Sequence, residues 1–139
     1  MLFNILFYFI LFIILVYWIG LFLIPKSVLV RKYFSSDSFW ITLGIIYFMI
    51  LFYSWRVNWI SLIIPSISNV QMAFNNEYLG PIVWINIMLG NLFMGRWIAF
   101  DSFRRNTILF PFMFSTFLLG PVGLSLYLLF NKNKKIKRA

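Results

Sequence analysis

The feature that most constrains this chain is a set of long stretches almost free of charge. The first, LFNILFYFILFIILVYWIGLFLI, runs from Leu2 to Ile24 and holds no charged residue. Three others follow: FWITLGIIYFMILFYSW over 39–55, PIVWINIMLGNLFMGRWIAF over 81–100, and ILFPFMFSTFLLGPVGLSLYLLF over 108–130. A bilayer core is about 30 Å thick and a helix rises about 1.5 Å per residue, so apolar runs of about 20 residues read as spanning helices. Lipid offers no hydrogen-bond partners, so a spanning segment must satisfy its own backbone as a helix. The expected fold is therefore an all-α integral membrane protein, one domain over 1–139. It would have about four transmembrane helices, an interfacial segment between the second and third, and a basic tail over 131–139.

Composition supports this. The chain is 63% hydrophobic and 11% charged, too little charge to cover a soluble domain of 139 residues. Its net charge of +9 comes from basic residues between and after the apolar runs, the placement of membrane flanks against anionic headgroups. No basic face interleaved with aromatics is present, and no nucleic-acid partner is expected. With no Cys and no His, disulfides, thiolate and imidazole catalysis and the usual zinc, haem and iron–sulfur ligands are excluded. No metal or other cofactor is expected. The only carboxylates are Asp37, Glu77 and Asp101, so proton chemistry falls to these, Tyr, Lys or the backbone.

The connections carry their own signals. No basic leader and no small-residue cleavage site mark the first run as a signal peptide. Pro25 closes it, with Lys26, Arg31 and Lys32 at the boundary. Asp37 or Ser38 is placed to cap the second. From Arg56 to Gly80, Ile and Leu mix with Asn58, Ser61, Ser66, Ser68, Asn69 and Gln71, which predicts an amphipathic segment on the interface, broken at Pro65. Pro81 suits the first turn of the third helix. Pro121 cannot donate to the Phe117 carbonyl, which predicts a kink in the fourth helix toward the third, with Gly120 and Gly123 making room. With four crossings, Lys26, Arg31, Lys32, Arg104 and Arg105 would face one side, and Arg56 and the tail the other. These nearly balance, so charge does not set the orientation.

The third run carries the unusual chemistry. Asn86, Asn91 and Arg96 interrupt it, and polar groups at membrane depth are functional candidates by default. Steps of five residues turn about 140° on a helix, so the three do not share a face. Blander roles compete. Asn side chains serve as interhelical hydrogen-bond glue, Arg96 can snorkel, and Asp101 with Arg104 and Arg105 makes a helix-end ion cluster. Gly90 and Gly95 offer surfaces for close helix approach.

The string WINIMLGNLFMGRWIAFD over 84–101, with LLGPVGL over 118–124, resembles the neoxanthin synthase family, also called abscisic-acid-deficient-four-like. Two linked motifs are more specific than one short pattern. The resemblance places Trp84, Leu92, Phe93, Gly95, Arg96, Asp101, Pro121 and Gly123 on family motif positions. It covers the C-terminal part well, and the first two helices by hydropathy. Asn86 stands where the family has His, and Asn91 where it has Asp. Each keeps hydrogen-bonding capacity and loses titration near neutral pH.

The resemblance implies a four-helix membrane protein linked to the conversion of violaxanthin into neoxanthin. Such an enzyme would be a carotenoid epoxide isomerase, with Asp101 and Arg96 as catalytic residues. Trp84, Asn86, Asn91 and Phe93 would contact a carotenoid or similar apolar lipid between helices. A non-catalytic small subunit or assembly factor of a membrane complex is the first alternative, and a small oligomeric transporter the second. The expected partners are membrane lipid, a carotenoid ligand, and a second copy or membrane-complex subunit. The expected location is a bacterial inner membrane, a thylakoid membrane or an organelle-encoded equivalent.

Overall fold

The computed structural model describes residues 2–23, 32, 36–54, 66–105 and 107–132. Among these it has six helices and no strand. They are α1 (Leu2–Leu23), α2 (Asp37–Tyr53), α3 (Ile67–Asn75), α4 (Leu79–Arg105), α5 (Phe110–Leu119) and α6 (Pro121–Asn131). Two of them, α1 and α4, are long and apolar enough to cross a membrane. The described residues group into two compact units, one from 1–12 and 37–86, the other from 13–36 and 87–139.

In the first unit, α1 begins with Phe3 packed edge-on against Tyr78, ring centroids 5.1 Å apart. Leu43 and Ile50, seven residues apart on α2, are its buried positions, while Ile41, Ile45, Phe48 and Phe52 are exposed. Thr42 returns its hydroxyl to the Ser38 carbonyl at 2.8 Å, hiding a polar group within an apolar helix. Ser66 caps α3 by accepting from the Asn69 N–H at 3.1 Å. Of the interfacial segment expected over 56–80, α3 is its described helix. Ile67, Val70 and Phe74 recur at helical spacing and are exposed, among Ser68, Asn69 and Gln71. The expected break at Pro65, and the closure of α1 at Pro25, lie outside the described residues.

The third helix starts earlier and ends later than expected. Asn76 Oδ1 accepts from the Tyr78 and Leu79 N–H groups, each at 3.0 Å, so two orphan donors of the first turn are satisfied before Pro81. The 27 residues of α4 reach about 40 Å, longer than the bilayer core.

In the second unit the expectation for 108–130 is corrected. It is not one kinked crossing. The chain reverses at Gly120 (φ 50, ψ −102), a backbone conformation open to glycine and strained for other residues. Phe112 and Tyr127 then meet with ring centroids 5.5 Å apart. On a continuous helix a step of fifteen residues would hold them about 22 Å apart. Thus α5 and α6 form an antiparallel hairpin, each arm about 15 Å long and half of a bilayer core. Pro121 opens α6, where its missing N–H costs no helical bond. Gly123 is where the arms touch: a Cβ there would overlap the Thr116 backbone N and Oγ1. Its room is therefore made against α5, not against the third helix as expected.

Helix α1 packs on this hairpin and on α4. Trp18, 2% exposed, lies over Gly95, where a Cβ would stand 2.5 Å from the indole Cη2. Gly95 is thus a close-approach position, whereas nothing lies within 4 Å of a Cβ at Gly90. Trp18 meets Phe117 at 5.2 Å and Phe22 meets Phe110 at 5.7 Å, so α1 runs antiparallel to α5. Since α5 turns back along α4, α1 and α4 run parallel.

Candidate functional site

The polar residues of α4 divide by helix face. Asn86 and Phe93, seven residues apart, fall within about 20° of one another and are exposed; Trp84 is exposed on another side. Asn91 is 5% exposed.

Asn91 sits at the hairpin tip. Its Nδ2 donates to the Phe117 carbonyl at 3.4 Å. That carbonyl is the one deprived of its helical donor by Pro121, so α4 supplies the hydrogen bond the hairpin cannot make for itself. The amide's other side faces the turn: a Cβ on Gly120 would overlap Asn91 Oδ1 and lie 3.3 Å from Met94 Cε. The reversal thus needs glycine at 120 twice, for its backbone conformation and for room beside Asn91.

The hairpin's open end is fastened by a second cluster. Asp101, with a side chain 13% exposed, accepts from Arg105 Nε at 2.7 Å and from the Tyr127 hydroxyl at 2.8 Å, both at Oδ2. Tyr127 is fully buried, edge-on to Trp97 at 6.0 Å and to Phe112 at 5.5 Å. Arg105 Nη1 reaches the Asn131 carbonyl at 3.5 Å, and Asn131 Nδ2 donates to the Tyr127 carbonyl at 2.9 Å. An ionised acceptor makes such hydrogen bonds shorter and stronger than neutral ones. Arg96, five residues before Asp101, lies over the Phe100 ring at 5.6 Å, a cation–π arrangement along its own helix. Arg104 is exposed, so Asp101 pairs with the i+4 arginine.

Tyr127 and Asn131 were not singled out by sequence. Each lies 26 residues beyond its α4 partner, within or at the end of an apolar run that reads as plain lipid contact. One signal was present for the tip: Pro121 orphans the Phe117 carbonyl, and asking which side chain serves it points to a buried amide. Among the described residues no group of three carboxylates, His or Cys could hold a metal.

Fold and site together define a small all-helical protein with two helices able to cross a membrane, whose third apolar run is the polar spine of a helical hairpin. The model of the ABA DEFICIENT 4-like family matches residues 5–127, and the chain belongs to that family. No curated protein and no solved structure matches it.

Proposed function

We propose that this protein is a multi-pass membrane protein of the neoxanthin synthase kind that binds a carotenoid, or an apolar lipid of similar length, against α4. Family membership over residues 5–127 is the observation that carries this reading. Exposed Trp84 and Asn86 on α4 support it: an apolar wall with a polar group suits a long hydrocarbon bearing oxygen.

The reaction this implies, an epoxide becoming an allenic alcohol, is an isomerisation. A carbon beside the ring loses a proton, the epoxide C–O bond opens, and the oxygen gains a proton. It needs a base and an acid. Asp101 is the base of this proposal. The Tyr127 phenol held on it is the second proton-bearing group, one absent from the motif segment. Arg96 polarises the oxygen. A second reading, a non-catalytic subunit, is favoured by one observation: Asp101 Oδ2 already serves both Arg105 and Tyr127, as a structural fastener would.

Expression in a host that makes violaxanthin tests both. The proposal expects carotenoid to co-purify in mild detergent and allenic product to accumulate, with Asp101→Asn abolishing product. Bound pigment without product would support the subunit reading. Absence of both pigment and product would overturn the proposal.

A further inference from the structure

We infer that Trp18 of α1 and Arg96 of α4 form a binding site for an acceptor oxygen carried on an apolar ligand, with the Trp18 indole N–H as its inner donor. The site deepens the proposed function by placing the ligand's oxygen. It rests on that reading for an apolar ligand, and not for which one. Every residue it uses lies in the second unit.

The observation that carries it is an unserved donor. Trp18 is 2% exposed, and its Nε1–H is closed in with no acceptor among the described residues. An indole nitrogen donates and does not accept, and a buried tryptophan usually finds a partner for it. Lipid tails offer none. The rings packed on it, Phe117 at 5.2 Å and Phe22 at 5.6 Å, bring no oxygen to it. A wholly apolar side chain would fill this space without burying a donor, so packing accounts for the ring and not for its nitrogen.

The ring's position names its neighbours. A Cβ at Gly95 would stand 2.5 Å from Cη2 and 3.3 Å from Cζ2. Cζ2 is bonded to the carbon that carries Nε1, so the nitrogen side of the indole is held at the level of Gly95. Arg96 is the next residue, and its charge reaches the phenol of Tyr17, the neighbour of Trp18 on α1. Residues 17 and 18 of one helix thus meet residues 95 and 96 of the other, bringing an indole, a phenol and a guanidinium to one level. Indole and guanidinium carry donors alone, and a phenol can donate. Such a set favours an epoxide, ketone or ester oxygen over a plain hydrocarbon. The surroundings suit the rest of the molecule. Tyr17 and Arg96 are partly exposed, so the site opens at the guanidinium, and the indole N–H lies deeper. Phe93, one turn before Arg96, is exposed beside that opening. An apolar chain lying along Phe93 brings its oxygen to Arg96, whose guanidinium is held over Phe100 at 5.6 Å.

The test uses the whole protein in mild detergent, with its indole nitrogens isotopically labelled for NMR. The six tryptophans give six indole N–H resonances. That of Trp18 is assigned by elimination, with single Phe variants of the others, so the assignment does not depend on how Trp18→Phe folds. Two pairs of probes match in hydrocarbon and differ in oxygen: violaxanthin with β-carotene, and methyl palmitate with hexadecane. The Trp18 indole proton should move downfield with the oxygenated member of a pair and stay in place with the hydrocarbon, as a new hydrogen bond requires. Trp18→Phe should bind the oxygenated probe about tenfold more weakly and the hydrocarbon equally. Movement with the ester but not with violaxanthin would support the site and overturn the carotenoid reading. No movement with either oxygenated probe would overturn the site, even where violaxanthin co-purifies and the carotenoid reading stands. Equal movement with both members of a pair would overturn it as well, since the indole would then sense occupancy and not oxygen.

Discussion

Replacing Asn91 tests the central feature of the second unit, the lock at the hairpin tip. The Phe117 carbonyl has lost its helical donor to Pro121, and Asn91 Nδ2 stands at 3.4 Å in its place. Asn91→Leu keeps the branched shape, adds some bulk beside Gly120 and removes the donor. A polar side chain bonded within a membrane protein contributes about 0.6 kcal/mol on average and up to about 1.7 kcal/mol. Leaving a buried acceptor unserved raises the cost toward about 1–3 kcal/mol. The 3.4 Å length argues for the lower part of that range, so the expected loss is about 1–2 kcal/mol.

Asn91→Asp sharpens the test, because it changes the donor and almost nothing else. Protonated, the carboxyl donates to Phe117; ionised, it sets negative charge against a carbonyl oxygen in a position only 5% exposed. An unfolded aspartate ionises freely near pH 3.9. The folded variant keeps the proton, so it binds more protons than the unfolded chain and loses stability as pH rises. Thermal unfolding in mild detergent, followed by circular dichroism at pH 3 and pH 8, should show Asn91→Asp near the parent at the lower pH and below Asn91→Leu at the higher. Asn91→Leu should differ from the parent equally at both. If Asn91→Asp tracks the parent at pH 8, Asn91 does not serve as donor and the lock is wrong.

Three further substitutions follow from the same geometry. Gly120→Ala meets both a positive φ, worth about 1–2 kcal/mol, and the Asn91 amide, so it should destabilise by more than that in the same melt; a parent-like melt would refute the turn. Gly95→Ala drives a methyl into the Trp18 indole and should cost about 1–3 kcal/mol, whereas Gly90→Ala, with nothing near its Cβ, should be neutral or stabilising by up to about 1 kcal/mol. Tyr127→Phe removes one hydrogen bond to a carboxylate and should cost about 1.5–3 kcal/mol, measured alongside Asp101→Asn, with a double variant revealing their coupling.

How much of this was legible in the sequence depends on the range of the interaction. The helices themselves were, because an uncharged run has one way to satisfy its backbone away from water. Pro121 gave the place of a break in the fourth run correctly. It did not give its angle: a proline removes one donor, which suits a gentle kink as well as a full reversal. The reversal was decided by Gly120, whose φ of 50 no pattern of hydropathy reveals, and by contacts across the hairpin such as Phe112 with Tyr127. The early start of α4 was missed for a local reason, since Asn76 reaches forward to two N–H groups in a segment that reads as interfacial loop. Of the site, the Asp101–Arg105 pair was visible as an i,i+4 spacing, while Tyr127 was not, because nothing in an apolar run marks which phenol will face a carboxylate.

The last expectation separates the two asparagines of α4 by function. Asn91 spends its side-chain donor on the hairpin tip. A donor so engaged is costly to recruit for a ligand, since the hairpin would be left with an orphaned carbonyl. Asn86 is differently placed: it is exposed on α4, and no hydrogen bond to its side chain occurs among the described residues. In an apolar environment its amide gains most by meeting an oxygen carried by a ligand. Ligand recognition on the proposed reading therefore falls to Asn86, and the sequence expectation that both asparagines contact the ligand divides. Asn86→Leu should reduce co-purified carotenoid several-fold while melting within about 0.5 kcal/mol of the parent, as substitutions away from structural features do. Asn91→Leu should do the reverse, keeping pigment on the folded fraction while lowering its stability. Pigment lost equally from both, at equal stability, would show that Asn91 faces the ligand and that the tip hydrogen bond is incidental.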